Sequence, residues 1–216
     1  MAELVFDCVD ARSDRYAAGP TLNFRLRIAE TSGDRIHAIA LRCQLRIEPQ
    51  KRRYSSSEAD HLGDLFGDQS RWATTLKPLQ FAYVSVMVPS FTGSTEIDLP
   101  VPCTYDLEIA STSYFHALSD GEIPLLLLFS GTMFTKGETG FTVGQVPWHK
   151  ETNYRLPVAE WRAMMDGFFP NSGWLRLHRE TLEALGAFKN ARALPTFEQT
   201  ITALLDEAAA STDHPA

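Results

Sequence analysis

Histidine, cysteine and clustered arginine have the widest chemical reach of the side chains in this sequence, so their spacing sets what the chain could do. Cys8, Cys43 and Cys103 are odd in number and far apart, and none belongs to a C-x-x-C pair of the kind that builds a zinc ribbon or a redox centre. Each falls at an inward position of an expected strand, alternating with Phe6, Leu41 and Tyr105, which suits a small core hydrophobe. A metal-handling site would need those three strands to converge with a histidine. His116, in Ser113-Tyr-Phe-His-Ala-Leu118, is the candidate for acid–base catalysis, with Glu108 or Asp120 as the carboxylate partner. His37 alternates with core positions, His61 and His178 sit among polar helical residues, and His214 lies in the tail. Trp148-His149-Lys150-Glu151 holds one strong metal ligand, a weak signal. Gly137-Glu-Thr-Gly140, followed by Gly144, reads as a hairpin turn, because a dinucleotide fingerprint needs a strand before it and a helix after it. No nucleophile elbow, Walker loop, H-E-x-x-H or EF-hand pattern occurs, and no cofactor is expected.

The arginines form the one basic concentration in an acidic chain. If Thr21–Ile28 and Ile36–Glu48 pair as a hairpin, Arg25 and Arg27 share a wet face with Arg42 and Arg46, and Lys51, Arg52 and Arg53 extend the run. Such a face either pairs with Glu48, Asp98, Asp106 or Glu108 on neighbouring strands or docks an acidic partner. Arg25, Arg27, Arg42, Arg46 and Arg53, with Trp72, are therefore the candidate partner-binding residues. The Arg53-Tyr54 and Arg71-Trp72 pairs lie in a long excursion over 49–79, where they either anchor a partner or pin the insertion to the sheet.

The elements that must position these side chains follow from hydrophobic period. The most continuously apolar stretch, Glu122 to Phe134, puts Ile123, Leu125, Leu127 and Phe129 on one side and Leu126 and Leu128 on the other. That predicts a central strand with a second sheet on one face and helices on the other. Alternation also predicts strands over Leu4 to Val9, Thr21 to Ile28, Ile36 to Glu48, Phe81 to Val88, Thr95 to Val101 and Cys103 to Ser111, and a last hairpin arm over Gly137 to Val146 with Phe141 and Val143 inward. Within the excursion Ser55-Ser-Ser-Glu58 matches a capping box, and Leu62, Leu65 and Phe66 give a short helix an apolar stripe that Gly67 ends. The period changes near Pro157. Val158, Trp161, Met165 and Phe168 mark one helix, Leu182, Leu185 and Phe188 a second, and the Thr196-Phe-Glu-Gln199 capping box opens a third with Ile201, Leu204 and Leu205.

The fold class expected is mainly β: an antiparallel sandwich, immunoglobulin-like in outline, over residues 1–150 with a helical insertion at 50–79. C-terminal helices over 151–210 would dock on it as one structural unit, leaving a flexible tail at 211–216. A net charge of -7 repels polyanions at long range, which argues against nucleic acid. The sequence Met-Ala-Glu-Leu-Val-Phe-Asp is no signal peptide and no window reaches transmembrane length, so a cytoplasmic location without a membrane span is expected.

Several stretches together resemble a known family: Leu41-Arg-Cys-Gln-Leu-Arg-Ile-Glu-Pro-Gln50, Phe91-Thr-Gly-Ser-Thr-Glu96, Leu99-Pro-Val-Pro-Cys-Thr-Tyr105, Gly121 to Thr132, and Phe169-Pro-Asn-Ser-Gly-Trp174. The chain is similar over roughly residues 20 to 205 to an uncharacterised, mainly actinobacterial protein family encoded beside [NiFe]-hydrogenase genes. The resemblance carries no functional residues. It implies an accessory role in assembly, maturation or stabilisation of a hydrogenase, with a hydrogenase subunit or maturation factor as protein partner. The expectation is thus a non-catalytic binding protein, with an enzyme built on His116 and a carboxylate, or a metal-handling protein, as the alternatives.

Overall fold

The computed structural model describes residues 3–103, 109–136, 140–170 and 177–212. The apolar stretch forms the long strand β7 (Glu122–Lys136). It is central in a six-stranded antiparallel sheet, with β3 (Arg35–Ile47) on one side and β8 (Phe141–Gln145) and β9 (Glu151–Pro157) sharing the other. Beyond β3 lie β4 (Leu79–Val88) and the two-residue β5 (Phe91–Thr92). The second sheet has the order β1-β2-β6, from β1 (Leu4–Ser13), β2 (Thr21–Glu30) and β6 (Ser94–Pro102). The inward rows of both sheets meet in one core, where Phe6 of β1 stacks on Phe129 of β7 at 4.3 Å and Phe24 of β2 meets Tyr154 of β9 edge-on at 5.9 Å. The antiparallel sandwich is therefore as expected, and its strand order, β1-β2-β6 facing β4-β3-β7 with β8 and β9, has the immunoglobulin outline.

Strand pairing departs from the sequence reading in two places. β2 and β3 do not form a hairpin: β2 pairs with β1 and β6, β3 with β4, β5 and β7, so the chain changes sheets at Ser32-Gly33-Asp34. The turn carries its own clasp. The buried Glu30 carboxylate accepts hydrogen bonds from Glu3 N (3.1 Å), Ser32 N (2.9 Å), Gly33 N (2.8 Å) and the Ser32 hydroxyl. The second departure is a β-bulge between Ile36 and Ala38. It leaves His37 half-buried and sends Ile36, fully buried, into the core where strict alternation placed His37.

β7 also needs a glycine at Gly131, whose φ is +147° and where an added Cβ would lie 2.2 Å from the Ala40 carbonyl oxygen of β3. Leu126 and Leu128 on the outer face are half-buried, flanked on the ladder by Arg46 and Asn153 and by Gln44 and Glu151. The helices of the sandwich unit do not lie over them as expected but pack chiefly on β1, β2, β4 and β9. Val143 of β8 is exposed rather than inward, and the side chain of Phe141 lies outside the described residues.

The excursion folds into α1 (Ser56–Phe66) and the short α2 (Trp72–Thr75). Both halves of the capping box are present, with Glu58 N donating to Ser55 Oγ (3.2 Å) and Ser55 N donating to Glu58 Oε2 (3.1 Å). The strand expected over Cys103 to Ser111 is not formed at its end: Ile109–Ala117 is helix α3, and 104–108, with Asp106 and Glu108, lie outside the described residues. α3 buries Tyr114 and Phe115 completely, and they join Tyr54, Phe66, Trp72, Phe81 and Trp161 in an aromatic plug within the core. α4 (Val158–Phe168) buries Val158, Trp161 and Met164.

The chain divides at residue 171. β9 and α4 belong with the sandwich in Met1–Asn171, and Ser172–Ala216 is a second unit. That unit pairs α5 (Arg179–Ala191) with α6 (Phe197–Thr212). Thr196 caps α6 by accepting from Gln199 N at 3.2 Å.

Leu127 is fully buried between Leu45 of β3 and Thr152 of β9. Its replacement by Ala is expected to destabilise the protein by about 2–5 kcal/mol in denaturant melts, from lost burial and a residual cavity. Glu30 sets an acid limit on folding. Burial pushes its pKa up, but the hydrogen bonds from Ser32, Glu3 and Gly33 outweigh this and bring it from 4.5 to about 2. A group whose folded pKa is depressed stabilises the fold above its unfolded value and loses that contribution as pH falls through the folded one. The Glu30 contribution is thus whole above pH 4.5 and disappears between 4.5 and about 2. Thermal melts across that range are expected to show a shallower acid decline for Glu30→Gln than for the parent.

Candidate functional site

The arginine face does not assemble. Arg25 and Arg27 lie on β2, the middle strand of the small sheet, and each stands between two acids: Arg25 between Asp10 of β1 and Asp98 of β6, Arg27 between Asp7 and Glu96. Arg25 is bidentate on Asp98, at 2.6 Å through Nε and 3.3 Å through Nη2, and Arg27 reaches Glu96 Oε1 at 3.0 and 2.8 Å. The hydrogen bond to Asp98, and then its charge, hold the Arg25 proton more tightly than usual. These pairs are half exposed, where water screens them, so they add little to stability. Arg42 and Arg46 are on the other sheet, Arg42 between Ser85 and Ser130 and Arg46 between Gln80 and Leu126. Arg53 is exposed at the entrance to α1. Trp72 is buried, donates from Nε1 to Gly67 O at 3.0 Å and meets Tyr54 and Phe66 edge-on, so it pins the insertion.

One side chain of the basic run serves a different purpose. Arg52 and Glu58 are each more than nine-tenths buried and joined at 2.6 Å. Arg52 Nη2 also donates to Asp120 O (2.6 Å) and Nη1 to Glu122 O (2.9 Å), while Glu58 Oε1 accepts from Ser119 N (2.9 Å) and Ser119 Oγ (3.2 Å). Burial raises the Glu58 pKa, but the bonds from Ser119 and Ser55 and the Arg52 charge outweigh it and hold it below the usual range. The clasp ties the insertion to the start of β7. Sequence showed only its local half, the Ser55–Glu58 capping box, because Arg52 meets Ser119 to Glu122 through folding alone.

His116 is on the exposed side of α3, edge-on to Trp161 at 4.9 Å. Partial burial lowers its pKa, and the neighbouring Arg162 charge lowers it further, the opposite of what a carboxylate partner would do. Glu108 lies outside the described residues. The three cysteines are free and buried, at the inward positions expected. Burial pushes the Cys8 and Cys103 thiols up to about 12 and raises Cys43 as well, so each is poor as a nucleophile or ligand. Among the described residues no group of three His, Cys, Asp or Glu side chains gathers as metal ligands.

Two surface features remain. An open cleft of about 880 Å³ runs between the end of β1, β9 and α4, lined by Asp10, Arg12, Arg15, Tyr154, Glu160 and Phe168 among others. Burial, then neighbouring acidic groups, push the Tyr154 phenol up to about 12. The cleft's charges are of both signs and Arg12 is paired with Asp10 at 2.5 Å, so it favours no single ligand charge. The α5–α6 pair carries the larger apolar exposure. Phe197, Ile201 and Leu205 recur every four residues along one face of α6 and are 43%, 36% and 65% exposed, and Leu182 of α5 is 47% exposed. Polar contacts join the two helices: Lys189 sits over the Phe197 ring at 5.8 Å and Arg192 pairs with Glu207. α5 buries no residue at all.

A family described only as being of unknown function, DUF6084, matches residues 1–213. No curated protein matches the chain. Solved structures with local likeness include a β-glucosidase from Kluyveromyces marxianus (8% identity, 71% of this chain, 15% of that one, TM-score 0.27). A putative late embryogenesis abundant protein (15% identity, 73% and 72%, TM-score 0.31) and β-glucosidase 3B from Thermotoga neapolitana in complex with α-D-glucose (12% identity, 71% and 17%, TM-score 0.25) are others. The chain thus spans under a fifth of either glucosidase. At these TM-scores the likenesses carry no argument.

The clasp generates a stability prediction. Glu58→Ala leaves the Arg52 guanidinium buried without its counter-ion, which is expected to cost about 3–5 kcal/mol in urea melts.

Proposed function

The chain belongs to DUF6084, a family of unknown function, and we propose that it is a non-catalytic accessory protein that holds a protein partner on the apolar face of its C-terminal helix pair. The observation that carries this is the row Phe197, Ile201 and Leu205 with Leu182, exposed on helices that bury little between them. Contiguous apolar exposure of this kind marks a binding surface, and an amphipathic helix offers anchors at i, i+4 and i+8 to an apolar groove on its partner. The sandwich is a separate compact unit. Its chemically versatile side chains, Arg52, Glu58, Tyr54, Tyr114 and Trp72, are engaged in holding the insertion in place.

The partner is a subunit or maturation factor of a [NiFe] hydrogenase, held in the cytoplasm during folding or cofactor loading. Support for that identity is the resemblance of the stretches from Leu41 to Trp174, and the net charge of -7 weighs against a nucleic-acid partner. Affinity purification from the native host, with bound proteins identified by mass spectrometry, tests the reading. The parent chain is expected to bring down a hydrogenase protein. Ile201→Glu with Leu205→Glu, both at exposed positions, is expected to lose it with an unchanged melting temperature. Equal recovery by the double variant, or no hydrogenase protein with the parent, would overturn the proposal.

A further inference from the structure

The six-stranded sheet ends at β4, and its outer edge is unlike the other strand edges among the described residues. α3 covers the start of β4, where Ser111 Oγ donates to Gln80 O at 2.5 Å and the Gln80 side chain donates to Ala82 O at 2.9 Å. From Tyr83 to Val88 no described strand pairs with that edge. The nearest strand on that side, β6, pairs with β2 in the facing sheet and makes no ladder with β4.

Edge strands are protected by charge, proline, bulges, shortness or cover. β6 has Pro100 and Pro102 with Glu96 and Asp98, and β8 is five residues long. β1 carries a bulge between Cys8 and Asp10 and packs beside β9, which has Glu151 and Arg155. β4 is bulged at Phe81 and covered by α3 only at its start, and from Tyr83 to Val88 it has none of these: Tyr-Val-Ser-Val-Met-Val contains no charge, proline or glycine. Its outward Tyr83 and Met87 are 73% and 63% exposed.

We propose that the β4 edge of one chain pairs antiparallel with β4 of a second copy, joining two sandwiches through a continuous sheet. The strand fits itself. A two-fold axis at Ser85 places Tyr83 opposite Met87 of the second copy on the outer face, a favourable sulfur–aromatic pair, and Val84 opposite Val86 on the inner face. Two chains of charge -7 repel as wholes, and β4 is a segment where they can meet without bringing like charges together. Arg42, which lies beside Ser85 on β3, stays three strand spacings from its counterpart, roughly 14 Å at 4.8 Å per strand. That exceeds the screening length of about 8 Å at physiological salt. A foreign strand would need a matching uncharged edge, and the symmetric pairing supplies one in every copy. This surface is independent of the α6 row.

Sedimentation equilibrium of the full chain tests the proposal. The parent is expected to show a concentration-dependent mass rising towards twice 24.1 kDa. Ser85 is exposed and stands opposite Arg42 on β3, so Ser85→Lys is expected to melt slightly below the parent and Ser85→Glu at or slightly above it, while each weakens self-association at least tenfold by setting like charges opposite each other across the axis. Mixing the two variants is expected to restore a dimer containing one of each. A parent that stays monomeric at high concentration would overturn the proposal. So would a dimer untouched by either charge, or a mixture that fails to associate. Loss of the hydrogenase partner on changing Ile201 and Leu205 leaves this readout unmoved, so the two readings fail separately.

Discussion

The ladder between β3 and β7 holds the molecule together. It runs from Ile36 opposite Thr135 to Ile47 opposite Leu125, and both strands bury their inward rows almost completely. β4 and β5 hang from its one side and β8 and β9 from the other, so the large sheet exists only if this pair forms. The small sheet then closes the core from the front through contacts such as Phe6 on Phe129. Gly131 shows how close the approach is, since the Ala40 carbonyl occupies the space a side chain would need. The two strands are about ninety residues apart in sequence, so the pairing carries a substantial loop-closure cost before any contact offsets it.

That separation gives the insertion its structural role. Residues between β3 and β4, together with α3, Phe81 of β4 and Trp161 of α4, form the aromatic plug, and the Arg52–Glu58 clasp fixes the plug to the turn that starts β7. Taking both charges out of water is costly, and the surrounding donors and carbonyls are what make the pair tolerable. The exposed rows on β2 are the reverse case, with good geometry but strong screening. Arg25 and Arg27 of the small sheet, paired with Asp98 and Glu96 of β6, thus contrast with Arg52, which organises backbone far from it in sequence.

In the proposed reading, partner recognition falls to apolar surface. Among the described residues the sandwich exposes an uncharged edge and the C-terminal unit an apolar helix face, and these are different kinds of surface. An edge strand offers backbone hydrogen bonds and favours a β partner, whereas a helix face offers side-chain anchors to a groove. A protein with both can self-associate through one and leave the other open.

Much of the fold was legible in order along the chain. Alternation located β1, β2, β3, β4 and β6 and marked Phe24 and the cysteines as inward, and the continuous apolar run located β7 with Leu127 buried in it. The capping box at Ser55, the stop at Gly67 and the period change at Pro157 located α1 and α4. These are local signals, because side-chain direction repeats every two residues in a strand and every three to four in a helix. Tertiary structure alone decided which strand lies beside which. Period-two alternation fixes the face a residue turns to but not the sheet its strand joins, so β2 and β3 have the pattern of a hairpin while their arginines belong to two sheets. The same limit hid the bulge that exchanges His37 for Ile36, the helix at Ile109 and the meeting of Arg52 with Glu58 and Asp120. Each depends on where a distant segment comes to rest, which is settled by burial of the whole chain and not by any window of it.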